Sequence, residues 1–269
     1  MSPVGNEPIG RREATELRRL ARDAKARREA GCLVVEGRRL VREALRLDTR
    51  VRQVVFLPEA IEKDSELREA IEAAEARGVD CRPAAAARFE QISSLKTPQG
   101  ALAIVERPAS DIAALASRAS FLGVAALGIQ DPTNTGALAR SAAAFGADAL
   151  LLSPDSGDVF GPKGIRASSG TVLTLPVATL EIGALLELAR SHAIAIYAAD
   201  AHSTDTLDSL PEAAPRALLA FGGEGGGLPP EISAAAAARY RIPTSDRVES
   251  LNVTAAAAIA LHRFARVER

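Results

Sequence analysis

The chain is poor in aromatic residues and in cysteine: its 269 residues include no Trp, 2 Tyr, 7 Phe and 2 Cys. Because rings are so few, a core must be built from Ala, Leu, Val and Ile. Cys32 and Cys81 lie in apolar, strand-like segments and no signal peptide is visible, so we expect two buried, reduced thiols in a cytoplasmic protein. The three histidines lack metal-ligand spacing with these cysteines, and we expect no zinc site.

Long apolar runs are also missing, and without about 18 uninterrupted apolar residues no membrane span is expected. The net charge of −1 hides an asymmetry: residues 1–110 carry 21 Lys or Arg against 18 Asp or Glu, and residues 111–269 carry 12 against 16. Residues 11–28 hold eight basic and three acidic side chains. This segment favours a phosphate-contacting face that includes Arg11, Arg18 and Arg22. Charge alone leaves a solvated amphipathic helix equally open.

Apolar segments of strand and helix character alternate along both halves of the chain. In the first half, apolar residues at helical spacing predict one helix over residues 13–29. Residues 108–120 are expected to join two domains, which span residues 11–107 and 119–269. In the second half, strands that are apolar throughout each lead into a helix, beginning with residues 121–127. This pattern predicts an α/β fold whose parallel sheet is buried on both faces.

Three polar or glycine-rich junctions in the second half point to one composite site, because open α/β folds bind ligands where strands give way to loops. At the first junction, Asn134 is placed to cap a helix over residues 136–145. Arg140 follows less than two turns later, and an Arg beside a helix start favours a phosphate site. The simpler alternatives are a plain cap for Asn134 and a surface salt bridge for Arg140.

The second junction is a glycine tract: five of the six residues 222–227 are Gly, directly after a predicted strand. Such a tract costs folding entropy and is typical of places where a ligand touches backbone. It matches neither the P-loop nor the dinucleotide-binding pattern. Its one charged residue, Glu224, has three interpretations: binding a ribose, orienting an arginine, or capping the next helix. An exposed flexible turn is the alternative for the whole tract.

The third junction runs from residue 242 to residue 254. Pro243 ends a strand, and Ser250 is predicted as the N-cap of a helix over residues 251–266. Asn252 offers both a donor and an acceptor to a ligand, and the local sequence gives no structural reason for an amide there.

Together the three junctions resemble the signature motifs of the SpoU/TrmH-type RNA 2′-O-ribose methyltransferases of the SPOUT superfamily. The resemblance covers residues 121–265, with the Ile242-Pro243 and Val248-Glu249-Ser250-Leu251-Asn252-Val253 segments its most specific part. The stretch from Arg166 to Gly170 also fits the family pattern. Residues 13–106 are similar to the ribosomal-protein-like RNA-binding domain that often precedes the catalytic domain.

The resemblance implies a C-terminal trefoil knot that binds S-adenosylmethionine, in a homodimer that acts on RNA. Arg140 would meet the target ribose and Arg166 would also contact RNA. The implied cofactor-binding residues are Phe221, Gly222, Gly223, Gly225, Ile242, Leu251 and Asn252. The implied catalytic residues are Arg140, Asn134, Glu224, Ser250 and Asn252.

The implied activity is methyl transfer to a ribose 2′-hydroxyl, with ribosomal RNA preferred to transfer RNA as the substrate. A role in antibiotic resistance, through methylation of a drug site, is a further alternative. A protein of the same fold that only binds RNA, or assists ribosome assembly, is the alternative from a different class. A doubly wound metabolic enzyme is disfavoured by the missing nucleotide-binding patterns.

Overall fold

A computed structural model describes residues 7–47, 50–223, 225–245, 247–248 and 250–265. Glu224 and Glu249 therefore lie outside the described residues. The chain divides into two compact units. The first comprises Met1–Pro108 together with Phe160–Thr174, and the second comprises Ala109–Val159 together with Leu175–Arg269.

The described residues form strands and helices that alternate along the sequence. The strands are β1 (Cys32–Glu36), β2 (Val51–Phe56), β3 (Asp80–Pro83), β4 (Ala101–Glu106), β5 (Phe121–Leu127), β6 (Ala149–Leu152), β7 (Val177–Thr179), β8 (Ala195–Ala199), β9 (Arg216–Gly222) and β10 (Ala238–Tyr240). The helices are α1 (Arg11–Arg22), α2 (Ala24–Glu29), α3 (Arg38–Arg46), α4 (Pro58–Glu62), α5 (Ser65–Ala76), α6 (Ala86–Ile92), α7 (Ile112–Ala116), α8 (Pro132–Ala144), α9 (Pro162–Ala167), α10 (Ile182–Ser191), α11 (Pro230–Ala235) and α12 (Val253–Phe264). Two single 3₁₀ turns occupy Thr171–Leu173 and Leu207–Ser209.

The first unit is built on a mixed sheet with the strand order β1-β4-β2-β3. β4 is antiparallel to both of its neighbours, and β2 and β3 are parallel. Helices α1 and α6 pack against each other on one face, whose core includes Leu17, Cys32 and Phe89. Helices α3 and α5 also pack against each other, with α3 on β4 and α5 on β3.

The single helix predicted over residues 13–29 is wrong, because the chain breaks at Asp23. The backbone of Asp23 is extended, and its side chain accepts a hydrogen bond from the N–H of Lys25 and so starts α2. Arg27, 5% exposed, turns back and donates to the carbonyl of Leu20 at 3.0 Å. An Asp N-cap and a buried Arg that satisfies a carbonyl at the end of α1 stabilise two short helices in place of one long one.

The second unit contains a six-stranded sheet in the order β10-β8-β9-β5-β6-β7, with every neighbouring pair parallel. All seven residues of β5 are buried, which confirms the prediction of a parallel sheet covered on both faces. The expected domain junction over residues 108–120 carries the short helix α7. Ile112 and Ala116 of that helix belong to the core of this unit.

The helices that follow the central strands β5 and β9 lie on opposite faces of the sheet. Helix α8 follows β5 and packs on β5, β6 and α12. Helix α11 follows β9 and contributes Ile232 to a core shared with Leu185 of α10 and with Leu127 and Leu218 of the two strands. Because the chain leaves two adjacent parallel strands toward opposite faces, a crevice opens at their carboxyl ends. Ligands of open α/β sheets bind at such a position.

Both cysteines are buried and unpaired, as the sequence predicts. Burial raises the pKa of the Cys81 thiol to about 12 and also raises that of Cys32. Over the described ranges, no helix is long and apolar enough to cross a membrane. The same residues contain no group of three or more His, Cys, Asp or Glu side chains that could hold a metal ion.

Candidate functional site

A cavity of about 820 Å³ lies at the carboxyl ends of the central strands of the second unit. Four connections form its walls, and the one after β7 contributes Glu181 and Ile182. Leu127, Gly128 and Asn134 come from the β5–α8 connection, Ser153 and Asp155 from the loop after β6, and Gly223 and Gly225 from the loop after β9. Ligand pockets typically measure about 300–1,000 Å³, so this cavity has room for a nucleoside-sized cofactor.

The glycine tract is fitted tightly against the neighbouring backbone. Gly223 pairs with Gly227 through a backbone bridge, in which the N–H of Gly227 donates to the carbonyl of Gly223 at 3.0 Å. A Cβ on Gly222 would lie 2.1 Å from the carbonyl group of Gly227, and one on Gly223 would lie 2.3 Å from the carbonyl oxygen of Gly128. These two positions therefore require glycine because of close backbone approach. The alternative interpretation, an exposed flexible turn, does not fit Gly222 and Gly223.

The loop after β6 supports the cavity wall, and the sequence motifs did not predict it. The hydroxyl of Ser153 accepts a hydrogen bond from the N–H of Gly128 at 2.8 Å and donates to the carboxylate of Asp155 at 2.5 Å. Gly128 has a φ of +69°, a turn conformation that glycine adopts readily. The signal that could have found this loop is the run of turn-forming residues 153–157 directly after an apolar strand.

Asn134 lies in the cavity wall, but it is not the cap of its helix. Helix α8 begins at Pro132, and Asp131 is the N-cap whose side chain accepts from the N–H of Thr133. The predicted start at residue 136 is thus four residues too late, because Pro at the first helical position extends the helix toward the strand. Asn134 occupies the first turn of α8, is half-buried, and lines the same cavity as the glycine tract.

Helix α12, which follows the third junction, packs along α8, which follows the first. The ring of Phe145, directly after α8, lies 5.9 Å from that of His262 in the last turn of α12. Helix α12 therefore lies on the same face of the sheet as α8, the helix that carries Asn134. Arg140, on α8, is exposed and forms no ion pair with any described residue.

Ser250 is not the N-cap that the sequence predicted for the last helix. Asn252 takes this position, and its Oδ1 accepts from the N–H of Thr254 at 2.9 Å and from the Thr254 hydroxyl at 2.6 Å. Asn252 therefore has a structural role as the cap, but, as expected from the sequence, that role does not require an amide. The cap uses only the oxygen of the amide, so an Asp would serve equally well as a cap. Ser250 is exposed and immediately precedes the half-buried Leu251.

The remaining cofactor candidates surround the same end of the sheet without lining this cavity. Phe221, 1% exposed, is a core residue of β9, and Ile242 is half-buried just beyond β10. The hydroxyl of Tyr240, two residues before Ile242, is completely buried and has no hydrogen-bond partner among the described residues. Burial raises the pKa of this phenol, so it remains a neutral donor. Tyr240 does not line the cavity, so the close-packed glycines and the polar side chains of the cavity wall are what fit a polar cofactor.

The predicted RNA contacts belong to the first unit. Arg11, Arg18 and Arg22 lie at positions i, i+7 and i+11 of α1, on one exposed helix face, and none forms an ion pair with a described residue. Arg22 donates to the carbonyl of Ser93 at 3.3 Å. Arg166, on α9, is also exposed and forms no ion pair within the described part of the chain.

Two protein families match the chain. The SpoU rRNA Methylase family matches residues 122–262, which is more than half of the chain. The MRM3-like substrate binding domain matches residues 13–103. The first match covers most of the second unit and the whole cavity, and the second match lies within the first unit.

Individual proteins support the same relationship. The 23S rRNA (guanosine(2553)-2′-O)-methyltransferase RlmP of Bacillus subtilis is 26% identical over 241 residues, which cover 89% of this chain and 91% of that protein. The 23S rRNA (adenosine(1067)-2′-O)-methyltransferase of Streptomyces laurentii is 31% identical over 202 residues, or 72% of each chain. The crystal structure of the SpoU methyltransferase AviRb from Streptomyces viridochromogenes, in complex with AdoMet, is 25% identical, with a TM-score of 0.81 over 95% of this chain and 97% of that one.

Proposed function

Because the chain belongs to the SpoU rRNA methylase family, we propose that it transfers a methyl group from S-adenosylmethionine to a ribose 2′-hydroxyl of ribosomal RNA. The observation that carries this proposal is the cavity at the carboxyl ends of β5 and β9, which is lined by both Asn134 and the glycine tract. The names of two similar proteins specify 2′-O-methylation of 23S ribosomal RNA. These likenesses favour ribosomal over transfer RNA as the substrate.

The cofactor would lie against the backbone of the glycine tract. Gly222, Gly223 and Gly225 are proposed to hold it there. Gly223 and Gly225 line the cavity, and a Cβ on Gly225 would meet no atom within 4 Å, which leaves space for close approach at that position. Phe221, Ile242, Leu251 and Asn252 are proposed to complete the cofactor site. The bound cofactor supplies an activated methyl group on a sulfonium. The protein's part is to exclude water and to hold the acceptor oxygen in line with that group.

Arg140 is proposed to orient the ribose. A guanidinium stays protonated in proteins, so Arg140 does not take the proton from the 2′-hydroxyl. It instead donates hydrogen bonds that stabilise the negative charge developing on the acceptor oxygen, and an RNA phosphate is the proposed proton acceptor. Asn134 and Glu224 would hold the guanidinium in place, with the role of Glu224 resting on the family resemblance.

Ser250 and Asn252 complete the proposed catalytic shell from the start of α12. The Oδ1 atom of Asn252 is occupied by the helix cap, so its Nδ2 atom is the group available to donate to substrate or cofactor. Ser250, exposed two residues earlier, can donate or accept through its hydroxyl. The trefoil knot implied by the resemblance is part of this proposal, and it is supported by kinship with the family.

The exposed arginine face of α1 is the proposed RNA-binding surface of the first unit. Arg11, Arg18 and Arg22 need not break an ion pair with a described residue before they contact phosphate, unlike Arg19, which is paired with Glu16. Arg166 would add a contact from α9. Because each phosphate contact releases counterions, RNA binding should weaken steeply as salt is raised.

We further propose a homodimer in the cytoplasm. The outer surface of α8 and α12 is rich in alanine and exposes Ile259, of which 43% is accessible. An apolar helix face of this kind is typical of a self-association surface. An Ile259→Glu variant should run as a monomer in light scattering where the wild type runs as a dimer. The cytoplasmic location is supported by the two buried, unpaired thiols.

The proposal is tested by comparing wild type with an Arg140→Ala variant. Calorimetry with S-adenosylmethionine should give equal affinities for both proteins, and filter binding should give similar affinities for unmodified ribosomal RNA. Transfer of labelled methyl groups to this RNA should occur with the wild type alone. Cofactor binding without methyl transfer by the wild type would favour an RNA-binding or assembly factor of the same fold. Methylation of transfer RNA alone would correct the substrate.

A further inference from the structure

Residues 153–174 are one continuous segment that belongs to both units. Residues 153–159 are part of the second unit, and Phe160–Thr174 is part of the first. The segment connects β6 to β7. The chain therefore leaves the second unit after β6, contributes residues 160–174 to the first unit, and returns to the second unit before β7. Each end of the segment is anchored within its own unit.

The first part of the segment is anchored to the cavity wall. The Ser153 hydroxyl accepts from the N–H of Gly128, and the N–H of Gly157 donates to the carbonyl of Ile129 at 2.8 Å. The hydroxyl of Thr135 in turn donates to the carbonyl of Gly157 at 3.2 Å. A Cβ on Gly157 would lie 2.6 Å from the carbonyl oxygen of Gln130, so the two loops fit without free space. This anchor fixes the backbone on both sides of Asn134.

The second part is anchored to the first unit. Helix α9 packs on β1, and the guanidinium of Arg107 lies 4.4 Å from the centre of the Phe160 ring. A Cβ on Gly170 would lie 3.3 Å from Leu40, which places the end of the segment against α3. β1 is an edge strand in the sheet order, yet all five of its residues are buried. Edge strands are normally open on one side, so the segment helps to cover this one.

We propose that residues 153–174 couple the cofactor site of the second unit to the RNA-binding unit. This inference rests on the proposed function. Two residues, Asp158 and Val159, separate the anchored Gly157 from the anchored Phe160, so the Cα atoms of the two anchors can lie at most about 11 Å apart. A change in the conformational order of one anchored part therefore changes that of the other, because the short connection between them cannot absorb it. Cofactor binding that orders residues 128–134 should therefore stabilise the contacts of α9 with β1. By thermodynamic linkage, RNA binding that orders the first unit should tighten cofactor binding.

Hydrogen exchange of the full chain, with and without saturating S-adenosylmethionine, tests this coupling. Cofactor should slow exchange at residues 126–136, where the cavity wall lies. It should also slow exchange at residues 160–174 and in β1 by about fivefold, the low end of common coupling factors. A Gly-Ser-Gly-Ser insertion after the exposed Asp158 should abolish the remote effect and leave both the local effect and the cofactor Kd unchanged. The matched control is the same insertion after the exposed Ala109, at another chain crossing between the units, and it should retain the remote effect.

The outcomes separate this inference from the proposed function. Slowed exchange confined to the second unit of the wild type, or a remote effect that survives the Asp158 insertion, would overturn the coupling and leave the function standing. The absence of slowed exchange at residues 126–136 would overturn the cofactor site itself. If the insertion lowers the melting temperature of the protein, a Phe160→Leu variant replaces it. This variant loses the contact with Arg107 and should reduce the remote effect without changing cofactor affinity.

Discussion

Replacing Gly223 with alanine should impair the enzyme by displacing backbone, without removing any functional side chain. The new Cβ would lie 2.3 Å from the carbonyl oxygen of Gly128, whereas real Cβ contacts essentially never fall below 3.0 Å. The tract or the Gly128 turn must therefore move by about 0.7 Å, and neither can relieve the contact by rotating a side chain. Misplacement of about 1 Å can cost about a hundredfold in rate, so we expect kcat/KM to fall by about tenfold to a hundredfold.

The matched control for this prediction is Gly226→Ala in the same tract. A Cβ on Gly226 would meet no atom within 4 Å, so the variant carries the same chemical change without the overlap. Cofactor affinity is measured by calorimetry and turnover by transfer of labelled methyl groups to unmodified ribosomal RNA, with melting temperatures to exclude unfolding. Gly223→Ala should lose both affinity and turnover relative to the control. Equal effects of the two substitutions would refute the argument that close contact with Gly128 shapes the cavity.

Four further substitutions or measurements test separate parts of the site and core. Arg140→Lys should lower kcat by about a hundredfold, as loss of one oxyanion donor does, because a point charge lacks the forked geometry of a guanidinium; near-normal turnover would show that this geometry is unnecessary. Asn252→Asp keeps the capping oxygen and removes Nδ2, so the melting temperature should hold while turnover falls; an unchanged turnover would leave Asn252 a structural cap only. Tyr240→Phe removes a buried, unpartnered hydroxyl and should stabilise the cofactor-free protein in urea by about 1 kcal/mol, whereas a loss of stability would reveal a hidden partner. Burial raises the pKa of Cys81 from 9.0 to about 12, so its stabilising contribution is present below pH 9 and is lost as the pH rises toward 12. The native thiol should resist labelling by a thiol reagent at pH 8 and react once denatured, and rapid native labelling would contradict its burial.

The parallel sheet of the second unit could be predicted because the apolar character of its strands is visible in the sequence. Residues of β5 are apolar on both faces, and the structure buries all seven. The first unit was harder, because helix periodicity runs unbroken through residues 13–29. The break at Asp23 depends on Arg27 reaching the carbonyl of Leu20, a contact that periodicity alone does not encode.

The sequence pointed to two of the loops that line the cavity and misassigned the caps of the helices after the first and third junctions. Asp131 and Asn134 are both good capping residues, and the choice of Asp131 follows from Pro132 at the first helical position. Ser250 and Asn252 compete in the same way at α12, where Asn252 is the cap. The hydrogen bonds by which Ser153 and Gly157 support the cavity wall could not be predicted, because they form between two loops that follow neighbouring strands.

The central claim is tested most directly by mapping 2′-O-methyl groups on the ribosomal and transfer RNA of cells with and without this protein. We expect one ribosomal RNA ribose to lose its methyl group when the protein is absent. Wild-type protein should restore that group, and the Arg140→Ala variant should not. Identical 2′-O-methyl maps in both kinds of cell, or a methyl group lost from a base instead of a ribose, would contradict it.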